Sequence, residues 1–480
     1  MAEYLTFLLH FQRFIVPAML GLLAWAVWRT AIKRDIAIGL GLYLALVVLV
    51  DGFYNTGIYI PGFAQGSIKY SEVCAAFVLA YRPTVPVKSS LKSFVLFLVT
   101  AYFLLLFFAA LRATPVMSGM VEYRRTLFPQ IVALAIAIRG LPAAVDYRRM
   151  LLAVAVLAMV VGLFSLWDVF FNRWLLHSDM LFKPEYGDNR KNGRFGGVFL
   201  NPNYLGAFVV LVFPPLFVQM LHERVRWARA FLGATLLALI FCLVETQSRA
   251  PLLAFGGALA LLALGPSGGV SRTRRIAALL AGLMVVTILM PGFFEHASKR
   301  FQSIDSETSV EEVSRASVWQ YTKGIIADHA LFGIGLGEQQ FLAAMARTDF
   351  RERYGRTSLD NPHNSYLQVA VYAGIPTVAI FVFANVVLLW KALRVVMRPR
   401  LDSDARGAIF GLAVGVTSFL ISIYPDMHLF TQNVGPLYWL YVGLLLSYVA
   451  KESPKAQPAS FAARLSHERY GKRALEERPN

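Results

Sequence analysis

The residues best placed to do chemistry surround a histidine in the stretch Asn361–Gln368. His363 ends a polar segment of about seventy residues, and an apolar run begins directly after it. The imidazole is therefore expected where a large external loop meets the membrane surface. A histidine at this place can exchange a proton with a reacting group near neutral pH. The alternative is a residue at a helix start that only hydrogen-bonds the loop.

Three arginines are expected on the same side of the membrane as His363. Arg194 precedes an apolar run, Arg249 lies in a tight turn between two runs, and Arg315 lies in the long loop. Arginine is costly to bury unpaired and its planar fork matches phosphate oxygens, so this cluster fits a phosphate-bearing lipid substrate. We therefore favour a diphosphate clamp. Taken singly, Arg194 could mark the headgroup boundary, Arg249 could cap the preceding helix, and Arg315 could pair with Glu311.

Polar and aromatic residues near the arginines are candidates for a supporting role. The sequence Asn201-Pro202-Asn203 breaks an apolar run and opens polar backbone, which at membrane depth must line protein or water. The capping-box spacing from Ser309 predicts a helix that extends to Ala327. Arg315 and Trp319 are four residues apart on this helix and so share a face.

Other ionisable and glycine-rich stretches receive structural interpretations. Asp426 and His428 are predicted on the same side as His363, and we interpret this pair as structural. The segment Gly333–Gly337 lacks the preceding strand and the spacing of a dinucleotide loop, and we interpret it as a turn. The outer side shows no Asp-x-Asp and no His/Asp/Glu cluster with metal-ligand spacing, so no metal site is predicted.

The elements that must position these residues are transmembrane helices. Of the 480 residues, 57% are hydrophobic and 16% are charged, which predicts an all-α polytopic integral membrane protein. The apolar runs predict about 12 transmembrane helices. The clear runs are 14–28, 36–50, 93–111, 150–171, 198–221, 229–245, 250–264, 276–293, 365–390, 407–424 and 433–450, and the doubtful ones are 58–80 and 127–141.

The distribution of lysine and arginine predicts the orientation. The formal net charge is +17, but the basic residues form short clusters between apolar runs, as expected of cytoplasmic anchors, and no nucleic acid partner is predicted. Simple alternation of helices puts the clusters on one side; they are 148–149, 222–229, 272–275, 391–406 and the tail after Lys451. The long loop carries eight Lys/Arg and ten Asp/Glu, so it lacks this bias and is predicted outside.

Five segments follow from these boundaries. They are the N-terminal transmembrane helices 1–145, the central helices 146–293 with Arg194 and Arg249, the large external loop 294–362, the C-terminal helices 363–450 and the cytoplasmic tail 451–480.

A series of motifs resembles, in order and spacing, the signatures of the O-antigen ligase and polymerase superfamily. The motifs are Arg194 to Asn203, Thr246 to Arg249, Arg315 with Trp319, Asp328 to Gly335, and His363-Asn364 with Gly374 and Thr377. Ala330 and Ala250 stand where many members have Pro and Gly, and neither departure alters a charged group. The resemblance spans roughly the last 290 residues, and the first third of the chain carries no motif that we can assign.

The resemblance implies a glycosyltransferase of the bacterial inner (plasma) membrane, with a multi-pass chain and an active site that faces the periplasm. It implies an undecaprenyl-diphosphate-linked glycan as donor and the lipid A core or another glycan as acceptor, without a metal, a nucleotide sugar or another cofactor. In this hypothesis His363 is the catalytic base, the diphosphate is held by Arg194 and Arg249, and Arg315 either joins this clamp or positions the loop. The supporting residues are Asn201, Asn203, Asn364 and Trp319.

Two alternatives remain at this stage. A polymerase of the same superfamily, for O-antigen or exopolysaccharide, would use the same residues with a different acceptor. A glycolipid or anion transporter would need ionisable groups near the bilayer midplane, whereas Asp168 and Glu245 fall near helix ends and most other charges lie in loops. The enzyme is the hypothesis that we favour.

Overall fold

The computed structural model describes residue 25 and residues 36–51, 57–59, 67–69, 71–72, 74, 76, 93–140, 144–171, 194–266, 269–289, 315–354 and 361–452. Most of the predicted run 14–28 and the tail from residue 453 lie outside this described part. So does the first part of the predicted capping-box helix, Ser309 to Ser314.

The first part of the described chain is helical apart from one short strand pair. Its elements are α1 (Ile36–Leu46, continued by a π-helical turn Val47–Asp51), β1 (Gly57–Tyr59), β2 (Ser67–Lys69), α2 (Phe94–Leu111), α3 (Val116–Glu122), a π-helical turn (Tyr123–Leu127), α4 (Phe128–Gly140) and α5 (Ala144–Phe171). The two strands pair antiparallel with Ile58 opposite Ile68. The doubtful run 58–80 is therefore not one continuous helix, and the strand pair is an exception to the all-α prediction. The doubtful run 127–141 is a helix, α4.

Four helices form the central part. They are α6 (Pro202–His222), α7 (Arg226–Glu245), α8 (Arg249–Leu264) and α9 (Arg272–Leu289). The run 198–221 becomes helical only at Pro202, because Gly197–Phe199 form a 3₁₀ turn and Leu200 adopts a left-handed conformation. Asn201 then caps α6 by accepting a hydrogen bond from the Asn203 amide at 2.9 Å.

The long loop and the C-terminal part contain seven helices among the described residues. They are α10 (Arg315–Asp328), α11 (Glu338–Met345), α12 (Phe350–Tyr354), α13 (Ser365–Ala373), α14 (Ile375–Val396), α15 (Ser403–Ser422) and α16 (Gly435–Glu452). The predicted loop helix is confirmed from Arg315 onward. The single span 365–390 is wrong, since Gly374 with φ of 89° separates α13 from α14. The segment Gly333–Gly337 is a turn, and Ile334 N donates to Val371 O at 2.8 Å.

The bundle has the character of a membrane protein. Six of the described helices, α2, α5, α6, α7, α14 and α15, are long and apolar enough to cross a bilayer. Large apolar side chains such as Phe97, Phe170 and Val386 are exposed on their outward faces. At the centre, every residue of α16 from Gly435 to Val449 is buried, and the Trp439 ring stacks 5.6 Å from that of Tyr102 in α2.

Close packing of α6 on α15 fixes the geometry of the site described below. Gly411 and Gly415 face α6, and a Cβ added at Gly415 would lie 2.6 Å from the carbonyl oxygen of Leu211. Small residues spaced by four allow helix backbones to approach closely in membranes. The two helices are antiparallel, so the start of α6 lies beside the end of α15. We call this the site end of the bundle, and the end with His222 and Asp404 the opposite end.

Candidate active site

Four connecting segments meet at the site end. They are Arg194–Asn203 before α6, Thr246–Arg249 between α7 and α8, Asn361–Asn364 before α13, and Tyr424–His428 after α15. Phe195 N donates to Glu245 O at 3.1 Å and thereby ties the first segment to the end of α7, directly before the second segment. Residues from distant parts of the sequence are thus brought into one cluster.

Asn203 is the connecting residue of this cluster. Its Oδ1 accepts hydrogen bonds from Arg194 Nη2 at 3.0 Å and from Ser248 Oγ at 2.6 Å. Its Nδ2 donates to Asp426 Oδ2 at 2.6 Å. One amide therefore joins α6, the α7–α8 turn and the loop after α15.

Asp426 lies at the centre of the cluster and is 3% exposed. Besides the Asn203 bond, its Oδ1 accepts a hydrogen bond from Met427 N at 2.8 Å. The loop that carries it is fixed to the start of α13, since Ser365 N and Oγ donate to the Asp426 carbonyl at 3.0 and 2.8 Å. Ser365 itself is fully buried. These hydrogen bonds hold the carboxylate beside His363, two residues before the start of α13.

His363 faces Asp426. Its Nδ1 lies 3.5 Å from Asp426 Oδ1, and its side chain is 26% exposed. Nδ1 is buried, so the exposed area belongs to the rest of the side chain. The distance is longer than a hydrogen bond, although contacts of this kind often tighten only when substrate binds. The arrangement suits an imidazole that Asp426 orients at the buried Nδ1 and that is accessible to a substrate elsewhere on the ring.

Arg315 and Trp319 hold the loops of the site from α10. Arg315 Nη1 donates to Pro425 O at 2.8 Å, and Nη2 lies 3.7 Å from Asp426 Oδ2. Trp319 Nε1 donates to Pro362 O at 2.8 Å, and its ring packs edge-on against Tyr424 at 5.6 Å. Their predicted common face is therefore turned toward the segments that carry His363 and Asp426.

The backbone around the site is strained. Three non-glycine residues in the described part have positive φ angles, namely Leu200 at 58°, Gln247 at 47° and His363 at 46°. Each lies in a different one of the four segments of the site. Such conformations cost about 1–3 kcal/mol each and persist where the surrounding structure fixes them, most often at functional sites.

The electrostatics keep Asp426 ionised. Burial raises its pKa, but the opposing effects of His428 when that residue is protonated, of His363 and of Arg315 are larger and hold the pKa below its usual range. His428 is fully buried, and burial lowers its pKa, so at neutral pH it carries no charge. Arg315 is always charged and the Asn203 and Met427 donors do not titrate, so the carboxylate stays ionised without His428.

The remaining predicted residues have local roles. Asn201 and Asn364 cap α6 and α13, and Asn364 Oδ1 accepts from both Tyr366 N and Leu367 N at 3.0 Å. Arg249 is half-buried as the first residue of α8, directly after Ser248. Arg194 also donates from Nε to Thr246 O at 3.3 Å, so it links α6 to the α7–α8 turn.

Sequence analysis missed the central position of Asp426 and did not find Ser248 or Ser365. The signal for Asp426 was present, because it is an acidic residue in a short loop of an otherwise apolar region. Only the packing of α15 against α6 shows that this loop reaches His363.

The fold and the site together define a polytopic membrane protein with a histidine, an aspartate and arginines clustered at one end of a helix bundle. Residues 206–382 match the family model described as O-Antigen ligase. This match supports the resemblance to the O-antigen ligase and polymerase superfamily that the motifs show. None of the curated proteins matches the chain.

The matched segment contains Ser248, Arg249, Arg315 and His363. Asn203 and Asp426 lie on either side of it in sequence. The structure nevertheless joins both to the matched residues, as described above, so the candidate site extends beyond the matched segment.

Proposed function

We propose that the protein is an O-antigen ligase-like glycosyltransferase. It moves a glycan from undecaprenyl diphosphate to a hydroxyl of the lipid A core, on the periplasmic face of the inner membrane. The site end of the bundle would face the periplasm, and the opposite end, which carries the basic clusters, the cytoplasm.

The observation that carries this proposal is the pairing of His363 with Asp426 inside a network that also contains Arg194 and Arg315. Glycosyl transfer from a diphosphate donor requires a base and a set of fixed cations. The base must accept a proton from the acceptor hydroxyl, and the cations must stabilise the charge of the departing diphosphate.

In the proposed reaction the acceptor oxygen attacks the anomeric carbon of the glycan. Nε2 of His363 takes the hydroxyl proton, a bond forms between the acceptor oxygen and the anomeric carbon, and the bond from that carbon to the diphosphate oxygen breaks. The diphosphate leaves with the electron pair. His363 then returns its proton to the solvent or to the leaving group.

Asp426 would orient the imidazole and stabilise it once it is protonated. With Nδ1–H directed at the carboxylate, Nε2 is left as the proton acceptor. Arg194 and Arg249 would bind the diphosphate, since the planar fork of a guanidinium group matches phosphate oxygens. Arg315 would position the Asp426 loop.

The test is a transfer assay with purified full-length protein, a labelled undecaprenyl-diphosphate-linked glycan and lipid A core oligosaccharide. Transfer of the label to the core oligosaccharide supports the ligase. Extension of the glycan on its lipid carrier, without label on the core, would identify a polymerase instead. Movement of intact donor across a proteoliposome membrane with no new glycosidic bond would identify a transporter and overturn the proposal.

A deletion strain supplies an independent reading of the acceptor. Loss of a ligase leaves long unattached glycans, whereas loss of a polymerase leaves single repeats or removes an exopolysaccharide. Single repeats attached to the lipid A core in the deletion strain would contradict the ligase assignment.

A further inference from the structure

A cavity of about 530 Å³ lies at the opposite end of the bundle, one α6 length from the candidate site. It is enclosed by the start of α5, the end of α6, the following loop, the start of α15 and the end of α16. Its lining combines apolar and aromatic residues such as Val218, Ala408 and Tyr448 with three arginines, Arg148, Arg149 and Arg224. Its volume is in the range of small-ligand sites.

The arginines of this basic cavity differ in their availability. Arg148 is engaged, because its Nε and Nη2 donate to the Glu223 carboxylate at 2.9 and 2.7 Å. Those hydrogen bonds lower the pKa of Glu223 to about 2, against the opposing effect of burial. Glu223 also accepts from Val225 N at 3.0 Å, so its carboxylate is committed within the protein.

Arg149 and Arg224 are exposed at the rim of the cavity. Within the described part of the chain neither guanidinium forms an ion pair. Asp404 is the other acidic residue of the lining and is exposed at the start of α15. With Glu223 neutralised by Arg148, the two free arginines outnumber this single carboxylate, so the cavity favours an anion.

The surroundings of the cavity indicate a ligand that belongs to a membrane. Trp227 in the first turn of α7 is 71% exposed, directly after Arg224 and Arg226. Exposed tryptophan beside arginine is typical of the headgroup level of a bilayer. The lining also includes apolar and aromatic residues, among them Val218, Ala408 and Tyr448, as the glycerol and upper acyl part of a lipid would require.

We propose that the basic cavity binds the phosphate group of an anionic phospholipid in the adjacent leaflet. Arg149 and Arg224 hold the phosphate, and the aromatic and apolar lining receives the glycerol backbone. Basic pockets between transmembrane helices are a known kind of lipid headgroup site. The inference is independent of the proposed transfer reaction, since it concerns the other end of the bundle.

The test is a binding titration of purified full-length protein with short-chain phosphatidylglycerol, read by native mass spectrometry and by thermal stability. The test variant is Arg149→Ala/Arg224→Ala. Arg272→Ala/Arg274→Ala is the matched control, because it removes two exposed arginines from the same end, at the start of α9 and outside the cavity lining. Neither variant touches the Arg148–Glu223 pair.

We expect phosphatidylglycerol to bind the Arg149→Ala/Arg224→Ala variant on the order of 30-fold more weakly than wild type. The control variant should stay within twofold of wild type. Equal binding to both double variants would overturn the proposal, as would equal binding of phosphatidylcholine. Inorganic phosphate at the same concentration should raise the thermal stability of the protein only slightly. An increase equal to that with the lipid would assign the cavity to a soluble phosphate compound and overturn the proposal of a lipid ligand.

Discussion

Asp426→Asn is the substitution that separates an electrostatic role of the carboxylate from a purely structural one. The side chain keeps its size, and the loop stays fastened by Ser365, which bonds the Asp426 carbonyl and not the carboxylate. What is lost is the negative charge 3.5 Å from Nδ1 of His363. If His363 takes up a proton during transfer, this charge stabilises the transition state more than the ground state.

The magnitude follows from the distance. Two unit charges 3.5 Å apart attract by about 5 kcal/mol at an effective dielectric constant of about 20. Since the His363 side chain is 26% exposed, solvent screening reduces this attraction, and we use about 3 kcal/mol for its energy. We therefore expect Asp426→Asn to lower kcat by about 100-fold, with donor binding much less affected.

The substitution also disturbs one hydrogen bond. One carboxylate oxygen of Asp426 accepts from Asn203 Nδ2 and the other from Met427 N, whereas an amide has an oxygen at only one of these two positions. The double variant Asn203→Asp/Asp426→Asn corrects this, since the donor and acceptor exchange places. It should recover thermal stability but not activity, as its charge lies beside Arg194 and away from His363. Asp404→Asn, an exposed aspartate at the opposite end, is the matched control.

The assay is kcat and donor binding on purified variants at matched folding. Activity of Asp426→Asn within a few-fold of wild type would refute the electrostatic argument. Full recovery of activity in the double variant would show that Asp426 serves only as a hydrogen-bond acceptor.

Three further predictions concern the network and its support. Arg194→Lys should lower kcat/KM by about 10- to 100-fold, because one ammonium cannot bond both Thr246 O and Asn203 Oδ1 and still reach a phosphate. The measurement is kcat/KM for transfer, with Arg272→Lys as the control variant. Gly415→Leu should prevent close approach of α6 and α15 and lower the Tm by several degrees or abolish folding, as thermal scans would show. Glu223→Gln should destabilise the protein by about 1–2 kcal/mol at both pH 7 and pH 5. The pKa of Glu223 in the folded state, about 2, lies below its value in the unfolded state, so the stability that this carboxylate contributes is lost only as the pH falls toward 2.

Each of these predictions has a contrary result. A lysine variant at position 194 with normal kinetics would make that arginine a headgroup anchor. A folded and active Gly415→Leu protein would mean that the two helices need no close contact. A Glu223→Gln effect present at pH 7 but absent at pH 5 would mean that the folded pKa is not lowered.

Much of the fold could be predicted from the sequence because its signals are local. Apolar runs of bilayer length gave α2, α5, α7 and α15 to within a few residues, since hydrophobicity alone decides where a helix can enter a membrane. The break at Gly374 was missed because a glycine in an apolar run leaves the hydropathy unchanged. The strand pair was missed for a related reason, since short apolar runs do not distinguish strand from helix.

The site was predictable in its composition but not in its connections. Topology alone placed His363 and the arginines at one end, and charged residues at membrane depth are rare enough to attract notice. The role of Asn203 as a link between Arg194 and Asp426 depends on how two antiparallel helices pack. Asp426 looked structural since nothing in the sequence indicates which loop lies beside His363.

The central claim is that His363 accepts a proton, and His363→Gln tests it most directly. Glutamine keeps a donor and an acceptor but cannot become charged, so transfer should fall by about two or more orders of magnitude while folding and donor binding are preserved. His329→Gln, at an exposed histidine just after α10, is the matched control and should be close to wild type. The measurement is in vitro transfer and donor binding on the same preparations. Transfer by His363→Gln within a few-fold of wild type would contradict the account, and loss of donor binding together with transfer would place His363 in the diphosphate site instead.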